Sequence, residues 1–314
     1  MKAKVLIVAA RHTREVDGVI DRLRDRNLDV VRFSICQYPE FAEISWDPLH
    51  ARYAYGGPHA AWLCDLSGWS VESKLTGLER ETSLAECLAF AEGTLLSLET
   101  NWLNSPQATR VASRKLLQLK LACELGFRVP ETCVTNSPED ARAFCRKHTT
   151  VVAKALASGF VTYGGKNLKF YTRRIRADST DLFEALHLGP LILQREIAKK
   201  EEIRVIVVDN EAFAVRLDLR SISNVEVDIR QLDYKRHEES FSPCLDRTDL
   251  ITLSKQVVRE LGLSYGGIDW AIDSSGNAYF LECNPLGAFK WFEMRSEQDI
   301  TGSIADALER RCLR

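Results

Sequence analysis

The sequence lacks the features that would direct it into a membrane or out of the cell. None of its apolar runs is long enough to cross a bilayer, and charges stand where a signal peptide has its apolar region. Its 9 cysteines form no CxxC pair and are scattered among apolar residues. We therefore expect a cytoplasmic protein with reduced thiols, no membrane partner, no disulfide framework and no zinc site.

An excess of charge of one sign is also missing. The formal net charge is -2 over 314 residues, so no global field attracts nucleic acid, and we expect none as a partner. No GxGxxG motif follows the first predicted strand. GFVTYGGKN is a poor match to a P-loop, because its lysine is displaced and Asn167 replaces Ser or Thr. A hydrophobic content of 45% still allows a substantial core in two or three lobes.

Strand and helix patterns alternate at the start of the chain. Lys4 to Ala10 is typical of a buried parallel strand, Glu15 to Arg26 has helical spacing, and Leu28 to Phe33 predicts the next strand. This order predicts an α/β fold with a Rossmann-like N-terminal lobe. Further helices are predicted over Glu79–Leu98, Gln107–Leu125, Asp249–Leu261 and Ile304–Arg311, and further strands over Thr132–Thr135, Val151–Ala155, Leu191–Gln194, Ile203–Val208, Ala212–Leu217 and Val225–Arg230.

The stretch from Gly266 to Phe292 carries the clearest chemistry. Two segments rich in aromatic and branched residues, Gly266 to Ile272 and Ala278 to Cys283, flank a turn and predict a β-hairpin. Glu282 and Asn284 share one face of the second strand, and Asp269 lies on the strand that pairs with it.

Hard oxygen ligands of this kind suit magnesium or manganese better than zinc, and such magnesium usually accompanies phosphates. An exposed acidic hairpin is the alternative. We rank it second, because Asp269 and Glu282 are embedded in apolar runs where an unpaired carboxylate is costly to desolvate. Lys154 interrupts a buried strand in the same way, which is costly unless its ammonium group meets an anion.

The order of elements and four short segments resemble the ATP-grasp ligases over most of the chain, and most closely the maturases of graspetides, which are microviridin-like ribosomal peptides. The segments are Asn101–Pro106, Lys115–Leu119, Gly126–Thr132 and Phe280–Pro285, and Val227–Arg230 is similar to an Asp-Trp-Arg segment of that family. The resemblance implies an N-terminal domain over residues 1–104. It also implies a central ATP-grasp lobe over 105–190 and a C-terminal lobe with the metal site over 191–314, which sandwich ATP.

The resemblance also implies a role for individual residues. Lys115 and Lys154 match the lysines that contact the ATP phosphates, and Gln194, Glu196 and Ile197 match the hinge that binds adenine. Glu202 matches the acidic residue that binds the ribose hydroxyls, and Arg204 and Arg230 match the catalytic arginines. The magnesium ligands of the family are matched by Asp269, Glu282 and Asn284. From the residues alone, Lys115 fits a solvated helix face nearly as well, and Lys199 to Glu202 fits a solvated charged turn.

Three segments depart from the family pattern. Ser67 to Glu72 lacks the arginines of a Trp-Tyr-Arg-Arg-like segment, Gly287 to Phe289 replaces Gly-Gln-Trp, and Arg195-Glu196 replaces a Glu-Tyr pair. We therefore expect Leu286 to Phe292 to be the segment in which this chain and the rest of the family differ in how they select the acceptor.

The activity implied by the resemblance is ATP-dependent ligation with magnesium or manganese. Side-chain carboxylates of a ribosomal precursor peptide, with a leader and an acidic core, would be activated as acyl phosphates and form ω-ester or ω-amide crosslinks. A homodimer is compatible with this reading. The alternatives are an amino-acid or small-peptide ligase of the glutamate-adding type and a nucleotide-responsive peptide-binding module without chemistry.

Overall fold

The computed structural model describes residues 2–10, 13, 15–34, 57–64, 75–157, 160–163, 166–176, 178, 180–220, 222, 228–232 and 236–313, with the backbone alone for 160–169 and 180–182. Ser67 to Glu72, the glycines of GFVTYGGKN and Val225 to Val227 lie outside these residues.

The strands form three larger sheets and one hairpin. They are β1 (Lys4–Val8), β2 (Asp29–Phe33), β3 (Ala60–Leu63), β4 (Asn101–Trp102), β5 (Thr132–Thr135), β6 (Val151–Lys154), β7 (Phe160–Tyr163), β8 (Lys166–Lys169), β9 (Arg173–Ile175), β10 (Leu191–Arg195), β11 (Lys199–Val208), β12 (Glu211–Asp218), β13 (Phe241–Pro243), β14 (Tyr265–Asp273) and β15 (Ala278–Asn284).

The helices cover the faces of these sheets. They are α1 (Glu15–Asp25), α2 (Gly77–Leu96), α3 (Pro106–Ala112), α4 (Lys115–Glu124), α5 (Pro138–Lys147), α6 (Thr180–Ala185), α7 (Thr248–Glu260), α8 (Lys290–Ser296) and α9 (Ile300–Cys312). Within the described ranges, none of the helices combines the length and apolarity needed to span a bilayer.

The first sheet has the order β2-β1-β3-β4, and all of its pairs are parallel. Side chains alternate across β1, so Val5 and Ile7 pack with residues of α1 and α9 in one core cluster. Leu6 and Val8 pack on the opposite face with Leu95 of α2. A parallel sheet covered on both faces explains the continuous apolar run in β1 and confirms the predicted α/β opening.

A single helix predicted over Gln107 to Leu125 is wrong, because the chain breaks it into α3 and α4. Ser113 ends α3, where both its backbone N–H and its hydroxyl donate to the Thr109 carbonyl. Arg114 is extended, with φ -82° and ψ 103°, and Lys115 begins the next helix. The break lets α4 follow its own direction and pack against β15.

The second sheet is antiparallel and has the order β5-β10-β6-β9. Ser137 caps the start of α5, since its side chain accepts from the Asp140 N–H and Pro138 occupies the first turn. Ala141 and Cys145 of α5 and Phe183 of α6 pack against this sheet. Although the predicted C-terminal lobe begins at residue 191, β10 pairs with β5 and β6, so it belongs to this sheet.

The third sheet has the order β13-β12-β11-β14-β15 and is also antiparallel. Its core-facing residues form a cluster with α3, α4 and α7. The interpretation of Lys199 to Glu202 as a solvated turn is wrong, because these residues begin β11. Glu201 and Glu202 are buried there because each pairs with a cation, Arg216 and Lys199 respectively.

The strand predicted over Val225 to Arg230 is also wrong for its described part. Ile229–Gln231 forms a single 3-10 turn. The Asp228 carboxylate accepts from the Arg230 N–H at 3.1 Å, and this local bond stabilises the turn in competition with an extended conformation.

Candidate active site

A cleft of about 440 Å³ contains every residue to which the sequence analysis assigned a role. These residues come from α4, the second and third sheets, the link between β10 and β11, and the 3-10 turn: Lys115, Lys154, Gln194, Glu196, Ile197, Glu202, Arg204, Arg230, Asp269, Glu282 and Asn284.

Three charged side chains form a row across neighbouring strands at the floor of the cleft. Arg204 of β11 is opposite Asp269 of β14, which is in turn opposite Glu282 of β15. Their neighbours Ile268 and Cys283 belong to the core behind the sheet, as the two-residue period requires. The sequence analysis predicted that these two strands pair, and the structure adds the register that places Asp269 opposite Glu282.

The carboxylates of this row are paired with cations. Arg204 donates from Nε and Nη2 to the two oxygens of Asp269, each at 2.7 Å. Its guanidinium lies 4.8 Å from the ring centroid of Phe292. Lys115 Nζ lies 3.5 Å from the Glu282 carboxylate and donates to the Ala155 carbonyl at 3.1 Å. Lys115 therefore faces the cleft rather than bulk water.

Positive charge decides the ionisation of Glu282. Burial raises its pKa, but Lys115, Lys154, Arg204 and Arg230 together hold the pKa of Glu282 below its ordinary value. The group is therefore a carboxylate at neutral pH, which is the form a metal ion needs.

The cations beside Glu282 repel one another. Burial lowers the pKa of Lys154, and although Glu282 favours its ammonium form, Lys115 and Lys199 oppose it. Burial raises the pKa of Glu202, against the charge of its partner Lys199. A polyanion in this part of the cleft would relieve the repulsion, so the side chains fit a group of phosphates.

The end of β10 suits a flat, partly polar ring. Gln194 Nε2 donates to the Thr132 hydroxyl at 2.9 Å, while its buried Oε1 has no partner among the described residues. Ile197 adds a buried apolar surface, and the Glu196 carboxylate is held by Arg174 at 2.7 to 2.9 Å. The orphaned acceptor and the apolar wall fit a base with an amino group, as adenine has.

The donor set also fits magnesium. Asp269 and Glu282 supply carboxylate oxygens, and Asn284 supplies an amide oxygen that accepts from the Leu286 N–H at 3.0 Å. The described part of the chain contains no group of three or more His, Cys, Asp or Glu arranged for a metal ion. A magnesium site with three protein ligands in this cleft would therefore have to include the Asn284 amide.

Several residues of the cleft had no role in the sequence analysis. Asp228 is buried, and its carboxylate accepts from Arg230 Nε at 2.7 Å, from Arg230 Nη2 and from the Thr172 N–H at 2.9 Å. Burial raises the pKa of Asp228, but Arg230 and the Thr172 N–H together hold that pKa below its ordinary value. The Asp-x-Arg spacing was the signal that could have identified this pair.

An aromatic wall closes the cleft beside Arg204. Trp291 and Phe292 line it together with Ala288, and the two rings meet edge to face at 5.4 Å. Glu15 at the start of α1 accepts from the Phe289 and Lys290 N–H groups at 3.0 and 3.2 Å, which anchors the beginning of α8. All three residues of the wall lie within Leu286 to Phe292, where the sequence departs from the family pattern.

The cleft agrees with the comparisons to known proteins. A family model described as the RimK-like ATP-grasp domain matches residues 112–308. A RiPP-associated ATP-grasp ligase of Chryseobacterium gregarium, solved in complex with ADP and a leader and core peptide, is 25% identical with a TM-score of 0.86, and the match covers 98% of this chain and 97% of that chain. None of the curated protein sequences matches the chain.

Two further solved structures have the same fold. The macrocyclase MdnC of Microcystis aeruginosa MRC, bound with precursor peptide MdnA, is 23% identical with a TM-score of 0.83, and the match covers 98% of this chain and 99% of that chain. The ATP-grasp ligase PsnB, complexed with minimal precursor, Mg and ADP, is 24% identical with a TM-score of 0.77 and coverages of 99% and 98%. The predicted ATP-grasp fold is thus confirmed, and the chain belongs to the RimK-like ATP-grasp family of ligases.

Proposed function

We propose that the chain is an ATP-dependent carboxylate ligase that acts on a ribosomal precursor peptide with a leader and an acidic core. In this proposal it joins side chains of the core through ω-ester or ω-amide bonds. The observation that carries the proposal is the row of Arg204, Asp269 and Glu282, with Lys115 and Lys154 beside it. Similarity along nearly the whole chain to a ligase solved with ADP, a leader and a core peptide supports this choice of substrate.

ATP would bind between the second and third sheets. Lys115 and Lys154 bind the phosphates, where their mutual repulsion is relieved. Gln194, Glu196 and Ile197 surround the adenine, and Glu202, which is paired with Lys199, accepts from the ribose hydroxyls.

Asp269, Glu282 and Asn284 would hold magnesium, or manganese in its place. When bound, the cation neutralises phosphate charge and aligns the acceptor carboxylate with the γ-phosphate. Asp269 binds Arg204 in this structure, so Arg204 would leave Asp269 in the metal-bound state and its guanidinium would then be available to the phosphate oxygens.

The reaction proceeds in two displacements. A carboxylate oxygen of the peptide attacks the γ-phosphorus of ATP, the bond to the bridging oxygen breaks, and ADP leaves. A hydroxyl or amine of the same peptide then attacks the acyl carbon and loses its proton to solvent as phosphate leaves. Each crosslink therefore removes one water from the peptide and converts one ATP to ADP and phosphate.

Arg204 and Arg230 stabilise the charge that develops in these steps. Arg230 is held by Asp228, which is not a proposed ligand, so little reorganisation of Arg230 is required when the substrate arrives. Arg204 is held by Asp269 and acts on the phosphate only after it leaves that carboxylate. The aromatic wall of Trp291 and Phe292 faces the same part of the cleft, and we assign it to the acceptor peptide.

Mass spectrometry of a reconstituted reaction tests the proposal. The purified chain, magnesium and ATP are incubated with candidate precursors, which are the short acidic peptides found by searching the neighbourhood of its gene. We expect the peptide to lose the mass of one water per bond, only when ATP is present. Glu282→Gln should abolish the product, and Glu124→Gln, which changes an exposed glutamate of α4, should retain it.

A precursor that never loses water would contradict the choice of substrate. Addition of a free amino acid to an acceptor would instead support the small-peptide ligase. A peptide that binds without stimulating phosphate release would indicate a binding module.

A further inference from the structure

Gln118 is a buried amide outside the roles assigned so far. It lies on α4, one turn after Lys115, and is 4% exposed. Ala122 of α4 and Cys283 of β15 are members of the apolar cluster at this helix. A buried amide is unfavourable unless its donors and acceptor are satisfied, so the partners of Gln118 show what keeps it there.

Most of these partners belong to a single residue of β15. Gln118 Oε1 accepts from the Cys283 N–H at 2.9 Å, and Nε2 donates to the Cys283 carbonyl at 2.6 Å. The second proton of Nε2 goes to the Ala112 carbonyl, also at 2.6 Å. The side chain therefore binds both backbone polar groups of Cys283, as a neighbouring strand would.

The position of Cys283 connects this contact to the proposed metal ligands. Cys283 lies between Glu282 and Asn284, and β15 is the last strand in the order of the third sheet. The Cys283 N–H belongs to the peptide group that follows Glu282, and its carbonyl belongs to the peptide group that precedes Asn284. Holding both peptide groups fixes the directions in which the two side chains leave the strand.

The strand needs this support where its pairing with β14 is irregular. The register shifts between Asp269 and Trp270, which are opposite Glu282 and Phe280, so Leu281 is an extra residue. Such a bulge re-aims side chains and weakens the local ladder. Gln118 binds β15 from the opposite edge, two residues beyond the bulge.

We propose that Gln118 is a positioning residue for the metal site: its amide holds the Cys283 backbone so that Glu282 and Asn284 bind the same cations. The inference rests on the proposed function, since it requires these two residues to be ligands. Lys115, on the same helix, contacts Glu282 directly, so α4 orients both the Glu282 side chain and the backbone of β15.

Manganese binding separates a positioning role from a merely structural one. Electron paramagnetic resonance of Mn²⁺ titrated into the ADP-saturated chain gives the metal affinity, and thermal unfolding gives the stability. Gln118→Met preserves length but removes the hydrogen bonds, and Gln118→Asn keeps an amide that is too short. Both should weaken Mn²⁺ binding about ten-fold or more and leave metal-free ADP affinity unchanged.

Ala122→Gly is the matched control on α4. It should lower the thermal midpoint through poor helix propensity and leave Mn²⁺ affinity unchanged. Wild-type affinity in a folded Gln118 variant would overturn the inference, as would an equal loss of affinity in Ala122→Gly. If Gln118→Met does not fold, Gln118→Asn decides the question.

Glu282→Gln distinguishes failure of this inference from failure of the proposed function. Loss of Mn²⁺ binding in Glu282→Gln with normal binding in the Gln118 variants overturns the inference alone. Normal binding in Glu282→Gln overturns the metal assignment on which both depend.

Discussion

Arg204 and Asp269 are directly opposite each other on adjacent strands and share two hydrogen bonds of 2.7 Å. Their side chains are 19% and 17% exposed, so neither charge is well solvated. Removing one partner from such a pair leaves the other uncompensated. A proposed metal ligand is thus neutralised by a proposed catalytic arginine, and binding of a cation at Asp269 requires the arginine to move.

Replacing Arg204 should therefore separate metal binding from catalysis. Arg204→Met removes the competitor for Asp269, so the nucleotide-free chain should bind Mn²⁺ about ten-fold more tightly by electron paramagnetic resonance. Turnover should fall by about 100-fold or more, because a donor to the transferring phosphate is lost. The control is Arg216→Met on β12, which breaks the ion pairs of Arg216 with Glu201 and Asp246. Unchanged Mn²⁺ affinity in Arg204→Met would argue against Asp269 as a shielded ligand.

Asp228 should matter for turnover through Arg230. Asp228→Asn loosens the guanidinium while leaving the rest of the turn, so kcat should fall by about 100-fold with little change in KM for ATP. Steady-state kinetics with the precursor peptide measure both constants.

The chain offers a close control for that variant. Asp218 binds Arg220 with the same spacing and the same three donors, but at an exposed site. Asp218→Asn should leave both constants unchanged. An equal effect of the two substitutions would mean that the loss is not specific to the cleft.

Phe292 should set the position of Arg204. Phe292→Leu removes the ring beneath the guanidinium, and we expect kcat/KM for the peptide to fall about ten-fold. Phe292→Tyr keeps an aromatic face and should retain most of the activity. Kinetics at saturating ATP measure the difference, and equal losses in the two variants would show that the ring's face is not what Arg204 uses.

Asp209 should make folding stability depend on pH. Burial raises the pKa of Asp209, but hydrogen bonds and charge from Arg311 and Arg310 hold that pKa below the ordinary 3.8. A lowered pKa in the folded state means that the stabilisation is present above pH 3.8 and is lost as pH falls through the folded pKa.

Asp209→Asn should therefore lower the free energy of unfolding by about 2 kcal/mol at neutral pH and by progressively less below pH 3.8. Asparagine tolerates the positive φ of 50° at this position, so backbone strain does not confuse the comparison. Urea unfolding of both proteins across this range measures the difference. Asp246→Asn changes an exposed carboxylate and should have little effect, while a constant difference at all pH values would contradict the argument.

The sequence by itself determined the β14–β15 hairpin and most strands near it. Side chains of a strand alternate between its two faces, so spacing alone placed Glu282 and Asn284 on one face, and the structure has Cys283 between them buried in the core. The helix start at Ser137-Pro138 likewise depends only on residues that are neighbours in the sequence. The family resemblance supplied the remaining positions, and the structure brings their side chains into one cleft, while their individual roles stay predictions.

Only the tertiary structure decided which charges meet. Lys199 to Glu202 looked like a solvated turn because nothing nearby in the sequence shows that Arg216 neutralises Glu201 across the sheet. The pairing of Arg204 with Asp269 and the contact of Gln118 with Cys283 join residues 65 and 165 positions apart. Periodicity reports which face a side chain occupies, but the desolvation of a charge or an amide is offset by whatever the folded chain brings opposite it.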